Sequence, residues 1–135
     1  MKICPYVSFN GNCAEVIVLY EKALGVKAEV MRYKDAPQEN GYVFAEDTGN
    51  MIMHAGFEIG GAVLMVCDMP PEYPSKTGSN IGIMAEFDDA EAAKKAFDVL
   101  KEGGEVEMEL QETFWSKCFG SLTDRFGIAW NISGK

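Results

Sequence analysis

The chain has little basic charge, a single histidine and no long apolar run. Its 135 residues include 21 acidic and 12 basic side chains, for a formal net charge of −9. Nucleic acids and anionic membrane surfaces both require a basic patch, so this charge argues against either as a partner. No apolar run approaches the ~18 residues of a membrane span, and the start MKICPYVSF lacks the apolar segment of a signal peptide. We therefore expect a cytoplasmic protein.

The cysteines form no metal-binding or redox motif. Cys4, Cys13, Cys67 and Cys118 are widely spaced, with no CxxC pair. This spacing excludes a zinc-finger or thioredoxin signature and predicts free thiols in a reducing cytoplasm. The sequence also lacks a glycine-rich turn between a strand and a helix, which a nucleoside-cofactor fold would need.

Hydrophobic periodicity and turn residues predict the order βαβββ twice. Gly60-Gly61 predicts a tight hairpin, Asn12 a helix N-cap and Gly25 a helix end. A polar loop over 35–50 contains Pro37, Gly41 and Gly49. The first half is predicted as strand 3–10, helix 12–24 and strands 27–34, 51–59 and 62–68. The second is predicted as strand 81–87, helix 89–101 and strands 104–111, 116–123 and 128–132.

The two halves are repeats of each other at an offset of about 77 residues. Phe9 aligns with Phe87, Tyr20 with Phe97, and each helix is followed by a glycine. We predict an α+β fold in which 1–135 form one domain of two pseudo-repeats, about 1–68 and 80–135, joined by a proline-rich linker at 69–79. The mixed sheet would curl into a cup, with the helices on its convex face.

Several stretches resemble the vicinal oxygen chelate superfamily, which comprises glyoxalases, bleomycin resistance proteins and dioxygenases. They are YVSFNGNCAEVIVLYEKALG at 6–25, MRYKDAP at 31–37, MHAGFEIGGAVLMVCD at 53–68, QETFW at 111–115 and FGSLTDRFGIAWNI at 119–132. The resemblance is closest to the PhnB-like branch, often labelled demethylubiquinone methyltransferase-like. The missing glycine-rich turn gives the methyltransferase label no support.

Strand pairing predicts which side chains face the cup. In the first hairpin, a two-residue loop places Gly56 opposite Met65 and His54 opposite Cys67. In the second, setting Thr123 opposite Ile128 places Gly120 opposite Asn131 and makes Cys118 the pseudo-symmetric partner of His54. The predicted cup face is Val7, His54, Gly56, Glu58, Val63, Met65, Cys67, Asn80, Gly82, Met84, Cys118, Gly120, Ala129 and Asn131. The face under the helices is predicted as Leu64, Val66, Ile81, Ile83, Ile128, Trp130 and Ile132.

The metal-binding positions of the family carry poor ligands in this chain. Metal-using members take His and Glu from the first and fourth strands of each module, and the resemblance aligns those positions with Pro5, Met65, Asn80 and Asn131. Proline and methionine do not bind divalent ions in such sites, and asparagine is a weak neutral ligand. A facial-triad iron site needs two histidines, and the chain has one. We therefore expect neither a family-type metal centre nor a cofactor.

His54 admits two interpretations. It could be a hydrogen-bonded histidine at the centre of a strand, or a polar anchor or general base on the cup floor near Glu58 and Cys67. Cys67 and Cys118 are weaker candidates for a nucleophile, because no base accompanies either one.

These residues predict metal-independent binding, with sequestration as one form of it, of a small, mainly apolar or aromatic molecule by a homodimer. Phe114 and Trp115 could be core residues or the aromatic wall of the cup, and the resemblance favours the wall. The predicted ligand-binding set is His54, Met65, Cys67, Asn80, Phe114, Trp115, Cys118 and Asn131. The alternative is a lyase, isomerase or dioxygenase that uses an unrecognised metal or His54 as acid–base. A third possibility is an interaction module whose apolar strand faces serve dimer assembly.

Overall fold

A computed structural model describes residues 1–36 and 45–135 and contains two four-stranded sheets. The predicted loop 35–50 includes a short helix, while Pro37 and Gly41 lie outside the described residues. The elements are β1 (Tyr6–Phe9), α1 (Cys13–Leu24), β2 (Glu29–Arg32), a 3-10 turn (Tyr33–Asp35), α2 (Glu46–Asn50), β3 (Ile52–Ile59), β4 (Ala62–Asp68), β5 (Gly82–Phe87), α3 (Ala90–Leu100), β6 (Glu105–Gln111), β7 (Cys118–Thr123) and β8 (Ala129–Gly134).

The predicted βαβββ modules are confirmed, and both have the same topology. The first sheet has the order β1-β4-β3-β2 and the second β5-β8-β7-β6. In each, the first strand of the module pairs in parallel with the last, and the remaining pairs are antiparallel. The chain forms two compact units, one of residues 1–21 and 26–76 and the other of residues 22–25 and 77–135. The division after residue 76 falls within the predicted linker.

The first hairpin has the predicted geometry. Gly60 and Gly61 take positive φ angles of 53° and 85°, which glycine adopts at little cost. They set Ile59 opposite Ala62 and Gly56 opposite Met65, as the two-residue loop predicts. Gly25 also ends α1 with a positive φ of 70°.

The core of the first unit lies between α1 and one face of its sheet. Tyr20 of α1 contacts Phe57 of β3, with ring centroids 6.3 Å apart. Ala55 and Val66 are paired across β3 and β4 on the same face as Phe57, and both are fully buried. The other face of this sheet is therefore the one opposite α1.

A buried carboxylate holds α1 to the end of β4. Asn12 occupies the N-cap position, since its carbonyl accepts from Glu15 and Val16. The Cys13 amide at the first helical position donates to Asp68 Oδ1, 2.9 Å away. In the second module the equivalent role is local, because Asp89 accepts from the Ala92 amide at 2.7 Å and caps α3 itself.

The second hairpin differs from the prediction by one residue. Thr123 lies opposite Ala129 rather than Ile128, so Gly120 pairs with Ile132 and Asn131 with Ser121. The loop has five residues, because the Asp124 amide donates to the Ile128 carbonyl at 2.9 Å and closes the turn one position later. A one-residue change of register reverses the face of every side chain relative to the partner strand.

The register change moves Cys118 and Gly120 to the face under α3. A Cβ atom on Gly120 would lie 2.9 Å from the ring of Phe97 in α3. Cys118 pairs with Gly134, where a Cβ would lie 2.8 Å from that of Ala93. The prediction that Cys118 and Gly120 face the same side as Asn131 is therefore wrong.

The predicted first strands of both modules begin too early. β1 starts at Tyr6 and pairs Val7 with the buried Val66, so the assignment of Val7 to the cup face is wrong. β5 starts at Gly82, which leaves Asn80 and Ile81 ahead of the strand. Ile81 is 82% exposed, and the prediction that it packs under a helix is wrong. Within the described residues, no helix is long and apolar enough to span a membrane.

Candidate functional site

The first candidate site is the open face of the first sheet, defined as the face opposite α1. Pairing in β1/β4 and β2/β3 places Tyr6 and Met65 together, and Met31 opposite His54. Continuing the β3/β4 register by one residue places His54 opposite Cys67. The sheet thus brings together the predicted residues His54, Met65 and Cys67, and adds Tyr6 and Met31 to them.

Tyr6 connects the histidine and the cysteine on this face. The Tyr6 and His54 rings meet edge to face with centroids 5.8 Å apart, and Tyr6 and Cys67 lie near enough for each to shift the pKa of the other. Burial, together with Cys67, raises the pKa of Tyr6 to about 12. Tyr6 therefore stays neutral and remains a hydrogen-bond donor at any ordinary pH.

The Cys67 thiol is held in its neutral form. Cys67 is only 6% exposed, and this burial raises its pKa. The interaction with Tyr6 acts in the opposite direction, because it stabilises the thiolate, while the nearby Asp68 carboxylate raises the pKa further. Cys67 is thus not an activated nucleophile on its own.

Asp68 fixes the backbone next to Cys67. Its two carboxylate oxygens accept from the amides of Gly11, Cys13 and Ile52 at 2.8, 2.9 and 3.0 Å. Its carbonyl accepts from the Tyr33 hydroxyl at 2.8 Å. The end of β4, the start of α1 and the start of β3 are therefore joined at one buried residue beside the open face.

The second candidate site is the open face of the second sheet, defined as the face opposite α3. Across β5/β8 the register pairs Met84 with Asn131, and across β7/β8 it pairs Phe119 with Ser133. Asn131 lies next to Gly82, where a Cβ would be 3.5 Å from its amide nitrogen. Of the residues predicted to bind a ligand, Asn131 is the one carried by this sheet face.

An aromatic cluster continues this face into the loop between β6 and β7. Trp115 contacts Phe119 at 5.4 Å and Phe114 at 4.7 Å between ring centroids, both nearly edge to face. Trp115 is 56% exposed and Phe114 97% exposed, so neither is a core residue. These contacts hold Trp115 at the border of the open face of the second sheet.

A cavity of about 370 Å³ lies beside Trp115. Its wall combines a tryptophan and a methionine with hydroxyl and charged side chains. The residues that give it this character are Met84, Glu86, Trp115, Ser116, Lys117 and Ser133. The volume falls within the roughly 300–1,000 Å³ of small-molecule sites.

Ser116 fixes one side of this cavity. Its hydroxyl lies 3.0 Å from that of Ser133 and donates to the carbonyls of Cys118 and Gly134 at 3.0 and 3.3 Å. The Thr113 amide donates to the Ser116 carbonyl at 2.8 Å and closes the turn that carries Trp115. The loop that carries Trp115 is therefore tied to β8 by side-chain hydrogen bonds.

The family positions for a divalent metal do not fit one here. Of the aligned positions Pro5, Met65, Asn80 and Asn131, Met65 pairs with Tyr6 and Asn131 pairs with Met84. None of these side chains is an anionic or imidazole ligand of the kind that such metals require. In residues 1–36 and 45–135, no three His, Cys, Asp or Glu side chains are grouped so as to hold a metal ion.

Two predicted residues lie apart from the open faces. Asn80 precedes β5, and its side-chain oxygen would lie 3.7 Å from a Cβ on Gly78. Cys118 faces α3. The pseudo-symmetric partner of His54, predicted as Cys118, is therefore Phe119. In the first sheet Gly56 lies opposite Met65, and in the second Ser121 lies opposite Asn131, so His54 corresponds to Phe119.

Sequence reasoning missed Tyr6 and Met31 on the first sheet, and Phe119 and Ser133 on the second. The signal for the two residues of the second sheet was Leu122, a large aliphatic side chain that belongs under a helix and shares its face with Cys118 and Gly120. No local signal identified Tyr6, since parallel pairing of β1 with β4 involves no turn that sets the register.

A sequence profile of the Glyoxalase/Bleomycin resistance protein/Dioxygenase superfamily matches residues 2–132. The match covers nearly the whole chain and agrees with the two βαβββ modules of the structure. The chain belongs to this superfamily.

Relatives extend over the same length. Protein YjdN of Escherichia coli (strain K12) is 32% identical over 140 residues, covering 98% of this chain and 95% of its own. The crystal structure of protein PA1353 from Pseudomonas aeruginosa is 38% identical with a TM-score of 0.84, covering 98% and 96%. A PhnB protein from Bacillus cereus, named as a putative 3-demethylubiquinone-9 3-methyltransferase, is 22% identical with a TM-score of 0.66 and covers 98% of each chain. That likeness shows the fold.

Proposed function

We propose that this protein binds a small, mainly apolar or aromatic molecule on the open face of its second sheet, without a divalent metal. The observation that carries the proposal is the cavity of about 370 Å³ beside Trp115. A large aromatic ring that is held in place yet 56% exposed offers apolar area that a ligand can cover.

The wall of the cavity suits a ligand with an apolar body and a few polar groups. Trp115 and Met84 supply aromatic and adaptable apolar surface. Ser133 and Lys117 supply hydrogen-bond donors, and Glu86 supplies an acceptor. Apolar surface and several polar side chains thus share one wall, and the polar groups can fix the orientation of a small molecule.

The expected contribution of Trp115 follows from its exposed area. A large aromatic side chain buries about 150–250 Å², so the 56% of Trp115 that is exposed leaves roughly 100 Å² for a ligand to cover. At about 25 cal/mol per Å², this corresponds to about 2 to 3 kcal/mol. We expect Trp115→Ala to weaken binding by roughly 30- to 150-fold.

A thermal-shift screen of small aromatic and apolar compounds, followed by calorimetry on the hits, tests the proposal. Hits should stabilise the wild type and lose affinity in Trp115→Ala. Tyr73→Ala is the matched control, because Tyr73 is an exposed aromatic residue on the segment after β4. Hits that stabilise Trp115→Ala as well as the wild type would contradict the proposed site.

Two measurements distinguish metal-independent binding from the alternative, an enzyme that uses a metal or His54. Stoichiometric nickel, zinc, iron or manganese in the purified protein would contradict metal-independent binding. His54→Ala tests the first sheet: we expect hits of the Trp115 site to bind this variant unchanged. Equal losses in Trp115→Ala and His54→Ala would contradict the assignment of binding to the second sheet.

A further inference from the structure

Four residues with soft ligand atoms occupy neighbouring positions on the open face of the first sheet. The β2/β3 register sets Met31 directly opposite His54, and the continued β3/β4 register sets His54 directly opposite Cys67. Directly opposite residues of an antiparallel pair have Cβ atoms about 4.5–5.5 Å apart. A thioether, an imidazole and a thiol therefore form one row across three strands, and the thioether of Met65 lies one diagonal step from the row.

These ligand types select a particular class of metal ion. Thiolate and thioether sulfur, together with imidazole, suit copper(I), whereas carboxylate and carbonyl oxygen suit magnesium, calcium or manganese. The row contains two sulfur atoms and an imidazole and no carboxylate. The set thus differs from the oxygen- and histidine-based centres that the family positions would require.

Tyr6 supplies the outer contact that such a site needs. Its ring lies edge to face against His54, with centroids 5.8 Å apart, and Tyr6 is paired with Met65 across β1 and β4. Tyr6 therefore touches the row from the neighbouring strand and limits the orientation of the imidazole. Partners of this kind orient metal ligands and tune their affinity.

We propose that Met31, His54 and Cys67 bind one soft monovalent cation of the copper(I) class, with Met65 as a further sulfur ligand. As the sulfur–metal bond forms, the Cys67 thiol releases its proton to solvent, and no electron is transferred. The site lies on the first sheet and does not depend on the cavity beside Trp115.

The positions of the other cysteines make Cys67 the thiol to test. Cys13 is fully buried in α1, and burial raises its pKa above the ordinary value. Cys118 faces α3 in the second unit. Cys67 is itself 6% exposed, but Met31 in the same row is 42% exposed, which gives an ion a route to the row from solvent.

The test is anaerobic titration of the purified protein with copper(I) in competition with bicinchoninate, with silver(I) as a redox-inert second probe. We expect one ion per chain in the wild type and no such ion in Cys67→Ser or His54→Ala. Met31→Leu keeps the volume but removes a sulfur and should weaken binding. Tyr6→Phe removes only the hydroxyl and should weaken it about tenfold.

The control is the double variant Cys4→Ser/Cys118→Ser, which should bind copper(I) as the wild type does. Circular dichroism checks that each variant is folded. If Cys67→Ser does not fold, the separate variants His54→Ala and Met31→Leu test whether these residues bind the ion. Failure of the wild type to bind, binding retained in Cys67→Ser, or binding lost in the double variant would each overturn the proposal.

Discussion

The sharpest stability prediction concerns Asp68, whose carboxylate accepts three backbone amides beside the open face of the first sheet. Asp68 is 1% exposed, and its oxygens lie 2.8–3.0 Å from the amides of Gly11, Cys13 and Ile52. Asp68→Ala would leave these N–H groups without their acceptor. Each buried donor that loses its partner costs about 1–3 kcal/mol.

The sum of these terms is reduced by solvent near Gly11, whose bond to Asp68 is only partly buried. We therefore expect Asp68→Ala to lower the free energy of unfolding by about 4 kcal/mol, near the upper end of single substitutions. For a chain of this size, that corresponds to a fall in Tm of roughly 12 °C, at about 3 °C per kcal/mol.

Asp89→Ala is the matched control. Asp89 is exposed and accepts from a single amide at the start of α3, that of Ala92. Loss of such an N-cap costs about 1 kcal/mol. Urea unfolding followed by far-UV circular dichroism gives both values, and unchanged m-values show that they can be compared. If Asp68→Ala costs no more than Asp89→Ala, the buried carboxylate does not hold β3 and α1 in place.

Two further predictions test the assignment of faces and the state of Tyr6. Gly120→Ala should lower the free energy of unfolding by about 1–3 kcal/mol, because its Cβ would lie 2.9 Å from the Phe97 ring. Gly56→Ala is the control: its Cβ would lie 3.4 Å from the nearest neighbour, so the change should be less than about 0.5 kcal/mol. Urea unfolding measures both, and equal effects would contradict the register. The raised pKa of about 12 predicts that Tyr6 favours the folded state fully below pH ~10, the ordinary tyrosine value, and loses this effect as the pH rises through about 12. The ultraviolet difference between wild type and Tyr6→Phe should therefore show no phenolate before pH ~11, and ionisation near pH 10 would refute the desolvation of Tyr6 together with its interaction with Cys67.

The sequence predicted features that depend on neighbouring residues and missed those that depend on distant pairing. Gly60-Gly61 is a local turn signal, and it set the register of the first hairpin correctly. The second hairpin was missed because its loop length is set by Asp124, which accepts from the Phe126 and Ile128 amides and from the Trp130 indole. Whether that carboxylate closes a turn of four or five residues depends on where the buried indole lies.

The face of β1 could not be predicted for a different reason. The strand has four residues and pairs in parallel with β4, so no connecting turn limits its alignment. Its alternation is a weak guide, since Val7 and Phe9 on one face are apolar while Tyr6 on the other face is also a large aromatic residue. The pairing of Tyr6 with Met65 resolves it, and that contact joins residues far apart in sequence.

Comparison of the two registers separates the positions that core packing determines from those that it leaves open. At equivalent positions under the helices both modules keep residues that fill a core: Val66 and Ile132, Phe57 and Leu122, Leu64 and Trp130. At equivalent positions on the open faces the chemistry differs in kind: Tyr6 and Met84, Met65 and Asn131, His54 and Phe119, Cys67 and Ser133. Packing explains the first set, because any well-fitting apolar side chain satisfies it. It does not explain why one duplicated face carries a thiol and an imidazole and the other carries an aromatic and hydroxyl pair. Because such a difference is neutral for the fold, packing leaves each open face free to serve the separate ligand class proposed for it above.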